Sequence, residues 1–295
     1  MKIAVFDDYR IGVVEGDKIY DATTALPSWL SEVPEQRINW LAGHWPEASI
    51  VVASSRKGAQ ERTLADVKLL APSPSPRHIF AAPANYRKHV GELGNLGVTK
   101  VGRSAREQGF FLKAPGSLTG AGGSIQLPKG SSRRFDYEAE LAVIIGRPGR
   151  DIPRGRAFDH VFGYACLIDV TMRIERDTGE EERSMRKSFS TFTPLGPYLV
   201  TADEVPEPGR LRNRLWVNGE IRQDATTADM IVDIAELIEL ISSVLPLSAG
   251  DVIATGTPEG VGQFKSGDEL RIAIEGVGEM AIFASERPSE APRRF

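Results

Sequence analysis

The chain has 295 residues, long enough for a large domain and a small one, and 41% of them are hydrophobic and 26% charged. This composition is typical of a soluble globular protein, and the formal net charge of -4 gives no reason to expect nucleic acid or an anionic membrane as a partner. No apolar run approaches the roughly 20 residues that span a bilayer, and the N-terminus lacks the apolar region of a signal peptide. We therefore expect a cytoplasmic location.

The first 70 residues are predicted to form a small α/β domain. Two strand-like segments, residues 10–14 and 18–20, flank Gly16 and Asp17, which indicates a hairpin. A helical segment with tryptophans follows. Three prolines within residues 71–76 exclude a helix or a central strand there, so we expect a linker that begins a second domain of residues 71–295.

The second domain is predicted to be α+β, mainly β, with mostly antiparallel strands and few helices. Short apolar runs alternate with Gly and Pro, and Asn218-Gly219 is a strong hairpin signal. Apolar residues at helical spacing predict one amphipathic helix over residues 230–241, with Thr226 and Asp229 resembling its capping box. The charged residues 286–295 are expected to be a solvated end.

The single cysteine, Cys166, lies in an apolar run over residues 162–168. One cysteine excludes an intrachain disulfide and fits a reducing cytosol. A catalytic thiol needs a partly exposed, electropositive setting, so we expect Cys166 to be a buried small hydrophobe.

Residues 135–146 form the most informative segment. Read as one strand, it has an apolar face that runs from Tyr137 to Ile145 and a second face that begins with Glu138 and Glu140. Adjacent like charges cost stability unless something neutralises them, and carboxylate oxygens are the ligands that Mg²⁺ prefers. The alternative is a solvated acidic face, and the strand alone leaves both interpretations open.

A third carboxylate, Asp169, follows the apolar run that contains Cys166. A lone carboxylate at a strand end is commonly a cap or a turn former. Together with Glu138 and Glu140, it would instead complete an oxygen-only metal site at the ends of two buried strands. Such a site leaves positions for water and a chelating substrate.

Six motifs in one order resemble the fumarylacetoacetate hydrolase family: DYEAEL (136–141), GY and DVT (163–171), KSF and TF (187–192), PLGP (194–197), VNGE (217–220) and TGTPEGVG (255–262). The resemblance covers roughly residues 71–285, and the small domain resembles that of the bacterial members. It implies a mixed β-roll catalytic core, a homodimer, and a Mg²⁺ or Mn²⁺ ion held by Glu138, Glu140 and Asp169.

The resemblance also implies catalytic roles. On the residues alone, His89 and Glu92 would be a surface pair on one face of a helix. The family match makes them the pair that activates water in acylpyruvate-cleaving members, carried by a glycine-loosened lid over residues 86–109. Lys187 matches a family lysine that stabilises a developing enolate. Without the resemblance, Lys187 would be interpreted as a solvated lysine on an ordinary charged surface, together with Arg183 and Arg186.

Four further residues are implied to bind substrate: Tyr86, Lys113, Arg173 and Thr257. Arg173 matches an arginine that binds the substrate carboxylate, for which a guanidinium is well suited. The loop over residues 255–262 could present backbone N–H groups and the hydroxyl of Thr257 to the same group, although alone it would more often be only a loop. The role of Lys113 is less specific.

The chain departs from the family pattern at four positions. The metal ligands are retained, so the departures concern substrate choice: Ile168 replaces an Asn, Ile174 an Asp, Ser190 an Asp, and Arg176 a substrate-contacting Gln. If Arg176 shares a helical turn with Arg173, the two favour a substrate with a second carboxylate, such as a fumarylpyruvate-like acid. The alternative is that Arg176 pairs with an acidic neighbour on the surface.

These observations predict a metal-dependent hydrolase that cleaves a C–C bond in an acylpyruvate or a related 2,4-diketo acid. The His89–Glu92 pair would take a proton from the attacking water, and Lys187 would stabilise the enolate that leaves. The same site could decarboxylate or isomerise an oxo-diacid. A silent family member that only binds a keto acid is the alternative from another functional class.

Overall fold

The computed structural model describes residues 1–56, 59–95, 103–174 and 182–288. Within these residues the chain forms six α-helices, several short 3-10 helices, and nineteen strands in three sheets. The α-helices are α1 (Arg37–Gly43), α2 (Trp45–Ser55), α3 (Arg87–Asn95), α4 (Ala105–Gln108), α5 (Arg183–Arg186) and α6 (Ile234–Val244). None of these described helices is long and apolar enough to cross a membrane.

The strands are mostly short, and most of their pairings are antiparallel. They are β1 (Lys2–Phe6), β2 (Arg10–Glu15), β3 (Lys18–Asp21), β4 (Glu61–Thr63), β5 (Ile79–Ala81), β6 (Phe111–Lys113), β7 (Leu118–Thr119), β8 (Ser124–Leu127), β9 (Phe135–Tyr137), β10 (Ala139–Ile145), β11 (Val161–Ile168), β12 (Thr171–Met172), β13 (Thr193–Thr201), β14 (Arg212–Val217), β15 (Glu220–Thr226), β16 (Val252–Ala254), β17 (Gly262–Phe264), β18 (Glu269–Ile274) and β19 (Gly278–Glu286). The prediction of an α+β, mainly β fold is confirmed.

Three sheets organise these strands. The largest has the order β4-β3-β2-β1-β13-β11-β10-β16-β5-β6, with β7 beside β13. A five-stranded sheet has the order β15-β14-β18-β19-β8, and a three-stranded sheet has the order β12-β9-β17. The parallel pairs are β5 with β16, β7 with β13, and β8 with β19. The three-stranded sheet matters most for function, because two chain segments pass directly between it and the largest sheet.

The N-terminal strands extend the largest sheet. Strand β1 pairs with β13, placing Lys2 opposite Val200. Buried side chains of both chain regions share one core cluster, whose members include Ile3, Leu41 and Ile144. The division at residue 70 therefore stays a prediction, while the structure shows a sheet and a core that continue across it.

Strand β10 is buried along its whole length, between two cores. Leu141 and Val143 pack into one cluster, whereas Ala142 and Ile144 pack into the other. Cys166 on the neighbouring strand is fully buried, and burial raises the pKa of its thiol to about 12. Such a thiol stays protonated at neutral pH, which confirms the prediction of a buried small hydrophobe.

Local turn signals were reliable. The hairpin between β14 and β15 turns at Asn218 and Gly219, with φ of 51° and 80°. Positive φ at both central residues is what a two-residue type I′ turn requires. Gly16, with φ of 60°, turns the chain between β2 and β3 as predicted.

The amphipathic helix begins later than predicted. Thr226 does cap a helix, but a one-turn 3-10 helix over Thr227–Asp229, whereas α6 begins at Ile234 and is capped by Asp233. The later start is caused by contacts with a residue that is distant in the sequence. Asn85 accepts hydrogen bonds from the N–H groups of Ile231 (2.8 Å) and Val232 (2.9 Å), and these contacts hold the intervening segment out of a helix.

Candidate active site

In two neighbouring chain segments the strand is interrupted where the chain changes sheets. A carboxylate residue lies at each of these two breaks. At Glu138 the chain passes from β9 in the three-stranded sheet to β10 in the largest sheet. At Asp169 the adjacent segment passes from β11 to β12. The N–H of Asp169 donates to the carbonyl of Glu138 at 2.8 Å and joins the two breaks. The segment predicted as one strand is thus interrupted, and the interruption lets the carboxylates converge.

The three predicted metal ligands do come together. Carboxylate oxygens of Glu138, Glu140 and Asp169 all lie within 4.8 Å of one another, and all three residues are buried. They line one cleft with Lys187, Arg173, His89 and Thr257, all of which the sequence also assigns to the site. Seven of the predicted site residues therefore share one cavity.

Two cations stabilise the charged form of Glu138. Lys187 Nζ donates to Glu138 Oε2 at 2.7 Å and to Asp169 Oδ2 at 2.6 Å. Arg173 donates from Nη2 to Glu138 at 2.8 Å and from Nε to Asp136 at 2.7 Å. Burial opposes ionisation of Glu138, but Lys187 and Arg173 together hold its pKa well below the ordinary value. Burial likewise opposes the Lys187 charge, yet Asp169 and Glu138 raise the pKa of the amine.

Glu140 forms no ion pair with the residues that the structure describes. Its one hydrogen bond among the described residues comes from the N–H of Gly256, at 2.7 Å. Burial, and then the charges of Asp169 and Glu138, raise the pKa of Glu140 well above its ordinary value. A buried carboxylate beside two others is the arrangement that a hard divalent cation relieves, and oxygen ligands suit Mg²⁺ or Mn²⁺. The donor set therefore fits the predicted metal.

Replacing Glu140 by Gln is expected to raise the melting temperature of the metal-free protein at pH 8. A carboxyl group whose pKa is higher in the folded than in the unfolded protein destabilises the fold as pH rises past the unfolded pKa. The amide of Gln cannot ionise, so it removes this penalty, and its oxygen can still accept the hydrogen bond from the N–H of Gly256. Relief on the order of 1 kcal/mol corresponds to a few degrees. Thermal melts with and without Mn²⁺ measure both effects, because the variant should also lose most of the stabilisation that Mn²⁺ gives wild type. If the metal-free variant melted at a lower temperature than metal-free wild type, the predicted repulsion between Glu140 and the other two carboxylates would be contradicted.

His89 and Glu92 form the predicted pair on α3. His89 is buried, and its Nδ1 lies 3.1 Å from Glu92 Oε2. The second oxygen of Glu92 accepts from the N–H of Gly260 at 3.2 Å. Burial opposes the Glu92 charge, but the hydrogen bonds from His89 and Gly260 lower its pKa. The pairing at Nδ1 leaves His89 Nε2 for the cleft. Of the predicted lid, residues 96–102 lie outside the described part of the chain.

The loop after β16 connects these parts, and two of its glycines are required. Gly256 has φ of +94°, and a Cβ there would lie 2.6 Å from the Cβ of Asn85. Gly260 has φ of +87°, and a Cβ there would lie 2.1 Å from the carbonyl oxygen of Arg222. Their N–H groups hold Glu140 and Glu92, so the loop fixes both a metal ligand and the histidine's partner.

Gln223 is a supporting residue that the sequence did not indicate. Its Oε1 accepts from the N–H of Ala139 at 2.9 Å, and its Nε2 donates to Thr257 Oγ1 at 2.9 Å. It thereby ties the start of β10 to the loop. Because Thr257 accepts this hydrogen bond, its own hydroxyl proton is left for the cleft. The only signal would have been a polar residue that points inward on a strand, which a single sequence does not reveal.

Two predicted substrate-binding residues, Lys113 and Tyr86, do not line the cleft, and a third cannot be placed. Lys113 is buried behind Asp169, where its ammonium donates to that carboxylate and to the carbonyl of Phe192 at 3.0 Å. Tyr86 is fully buried, next to Met230, and does not line the cleft. Arg176 lies outside the described residues.

Two arginines that were expected from the sequence to lie on an ordinary surface, Arg183 and Arg186, line the cleft. Arg186 is buried and donates to the carbonyl of Met172 at 2.9 Å. Arg183 is partly buried and donates to Gln108 Oε1 at 2.9 Å, and its Cζ lies 5.4 Å from the ring centroid of Phe111. The surface interpretation is wrong because α5 packs beside β6, a contact between segments far apart in sequence.

The comparisons with known proteins agree with this site. The family described as fumarylacetoacetate (FAA) hydrolase, C-terminal, matches residues 78–282. Maleylpyruvate hydrolase of Aquipseudomonas alcaligenes is 43% identical over 290 residues, which cover 96% of this chain and 98% of that protein.

Solved structures extend the similarity to the fold. Maleylpyruvate hydrolase from Sphingobium sp. SYK-6, in complex with manganese(II) and pyruvate, has a TM-score of 0.85 and 38% identity, covering 97% of this chain and 99% of that one. A 5-carboxymethyl-2-hydroxymuconate delta-isomerase from Mycobacterium smegmatis has a TM-score of 0.72 and 28% identity, covering 97% of this chain and 100% of that one. The prediction of a Mg²⁺ or Mn²⁺ cofactor is confirmed by the manganese in the Sphingobium maleylpyruvate hydrolase and by the three carboxylates here. The chain therefore belongs to the fumarylacetoacetate hydrolase family and is a metal-dependent hydrolase of that family.

Proposed function

We propose that the protein hydrolyses a C–C bond in an acylpyruvate whose acyl end carries a second carboxylate, as in maleylpyruvate or fumarylpyruvate. The observation that carries this proposal is the meeting, in one cleft, of three carboxylates, Lys187 and the His89–Glu92 pair. Similarity to maleylpyruvate hydrolases over nearly the whole chain supports the substrate class.

The metal ligands, Thr257 and Arg173 would together bind the keto-acid end of the substrate. A divalent cation held by Glu138, Glu140 and Asp169 would polarise the 2-oxo acid end of the substrate. The hydroxyl of Thr257, whose oxygen already accepts from Gln223, can donate to the substrate carboxylate. Arg173 uses Nε and Nη2 on protein carboxylates, which leaves Nη1 for the same group.

His89 is proposed as the general base. Its Nε2 takes a proton from the water that attacks the distal carbonyl, and Glu92 stabilises the imidazolium that forms. Glu92 also fixes the orientation of the ring, since its other oxygen is held by Gly260. The same imidazolium can return its proton when the C–C bond breaks.

Lys187 is proposed to stabilise the departing pyruvate enolate. Its ammonium is buried between Glu138 and Asp169 and also donates to Thr171 Oγ1 at 2.6 Å. A fixed positive charge in a water-poor cleft acts strongly on charge that develops beside it. Lys113 holds Asp169 from behind and is proposed to position this ligand, not to touch the substrate.

Isomerisation of an oxo-diacid, or its decarboxylation, is the second candidate. The observation in its favour is the similarity to the delta-isomerase of Mycobacterium smegmatis. All three reactions need a stabilised enolate, but only hydrolysis needs a base that activates water, which the His89–Glu92 pair supplies.

The experiment is to assay purified protein with Mn²⁺ or Mg²⁺ on maleylpyruvate, fumarylpyruvate and acetylpyruvate. Loss of enol absorbance reports reaction, and lactate dehydrogenase with NADH reports pyruvate. We expect pyruvate to form in equal amount to the substrate consumed. Absorbance change without pyruvate would reject hydrolysis in favour of isomerisation, and carbon dioxide release would indicate decarboxylation.

We also propose that the protein acts as a homodimer in the cytoplasm. The family resemblance supports the dimer, and the single buried, protonated thiol suits a reducing compartment. Analytical ultracentrifugation at micromolar concentration tests the first point, and activity in a cytosolic fraction tests the second.

A further inference from the structure

The cleft contains a guanidinium whose contacts within the described chain are all uncharged. Arg183 donates to the amide oxygen of Gln108 and lies against the ring of Phe111. Burial lowers the pKa of its guanidinium, although Glu138, Glu182 and Asp169 act in the opposite direction. Removal from water without a paired anion is costly, so this cation would gain from an anionic ligand.

The other cations of the cleft are engaged differently. Lys187 is held by Glu138 and Asp169, and Arg173 by Asp136 and Glu138. Arg186 donates to a backbone carbonyl. Lys187 and Arg173 are thus paired with carboxylates and Arg186 is buried, whereas Arg183 is only partly buried in the cleft and its contacts within the described chain are to neutral groups.

Its position relative to the metal ligands suits the far end of a small substrate. The ring of Phe111 lies close to both cations, with its centroid 5.4 Å from Arg183 Cζ and 5.5 Å from Lys187 Nζ. Lys187 contacts two of the three metal ligands directly. Arg183, Phe111 and the three carboxylates line one cleft, so a seven-carbon 2-oxo diacid that is held at the ligands by its keto-acid end can extend past Phe111 towards Arg183.

We propose that Arg183 is a specificity-determining residue that binds the second carboxylate of a dicarboxylic 2-oxo acid. The proposal rests on the proposed function, because it assumes that the keto-acid end binds at the three carboxylates. The guanidinium fork can bind a carboxylate through two N–H groups, and the neutral Gln108 holds the fork without neutralising it. Phe111 supplies a flat apolar wall for the carbon chain between the two ends.

The test compares two inhibitors that differ only at one end, 2-oxoheptanedioate and 2-oxoheptanoate. Both have the keto-acid end, and neither has the 4-oxo group that hydrolysis needs. Their dissociation constants are measured calorimetrically on Mn²⁺-loaded protein, so the readout does not require turnover. Wild type should bind the diacid at least about tenfold more tightly than the monoacid, as expected for a charge-assisted contact.

Two substitutions change the site by independent routes. R183Q removes the charge, and Q108E keeps Arg183 but places a carboxylate beside it. Each should lower the diacid preference by about tenfold, whereas R183K should retain part of it. R106Q is the matched control, because Arg106 lies on nearby α4 but pairs with Glu236. It should keep the wild-type preference, which excludes a general effect of net charge.

The outcomes separate the two proposals. A wild type without preference for the diacid, or an R183Q and a Q108E that keep it, would overturn the role of Arg183. If R176Q alone abolished the preference, the second carboxylate would belong to Arg176 and the assignment would again be wrong. Failure of the proposed function would appear elsewhere, as wild-type protein that forms no pyruvate from any acylpyruvate.

Discussion

Glu138→Gln and Asp169→Asn are each expected to lower kcat/KM by at least about a hundredfold, and treatment with EDTA should abolish wild-type turnover. Each substitution removes one of three carboxylates whose oxygens lie within 4.8 Å of one another. Loss of an outer partner of a metal ligand typically costs 10- to 100-fold, so loss of a ligand itself should cost no less. Each also deprives Lys187 of one of its carboxylate partners, which weakens the placement of its charge.

Metal binding should fall in parallel with activity. Calorimetric titration with Mn²⁺ measures the affinity, and circular dichroism checks that the fold is retained. Asp251→Asn is a matched control, because Asp251 is a fully buried carboxylate outside the cleft. It should leave the Mn²⁺ affinity unchanged. Full turnover in chelator-stripped protein would refute the metal site.

His89→Ala is expected to lower kcat by about 10²- to 10⁴-fold, the usual contribution of a positioned general base. Affinity for Mn²⁺ should change little, because His89 is not one of the three metal ligands. Glu92→Gln should have a smaller effect in the same direction, since it keeps the contact to His89 but removes the charge that stabilises the imidazolium. Steady-state kinetics with coupled pyruvate detection measures both.

Two further measurements make this prediction specific. Added imidazole should restore part of the activity of His89→Ala, because a free base can enter the space that the side chain leaves. His44→Ala is the control, since His44 is exposed and does not line the cleft. Unchanged hydrolysis in His89→Ala would require another residue to activate the water.

The sequence by itself determined the features that depend on local chemistry. The Asn218-Gly219 turn needs only two residues that tolerate positive φ, and Cys166 is buried because its whole neighbourhood is apolar. The three carboxylates could be predicted as a metal site for a similar reason. Acidic residues beside buried strands are costly without a counter-ion, and the order of the surrounding motifs resembles one family. That is why the metal, the fold class and the enzyme class could all be predicted.

Only the tertiary structure decided how these parts meet. The chain changes sheets at Glu138 because β9 pairs with β12 and β17 while β10 pairs with β11 and β16, and such pairings are not encoded in a single segment. In the same way, α6 begins at Ile234 because the distant Asn85 binds the residues before it. Burial of Lys113 behind Asp169 and the place of Arg183 in the cleft depend on packing between segments far apart in sequence. A long cationic side chain is equally compatible with solvent or with a buried carboxylate, and only its folded surroundings determine which one it meets.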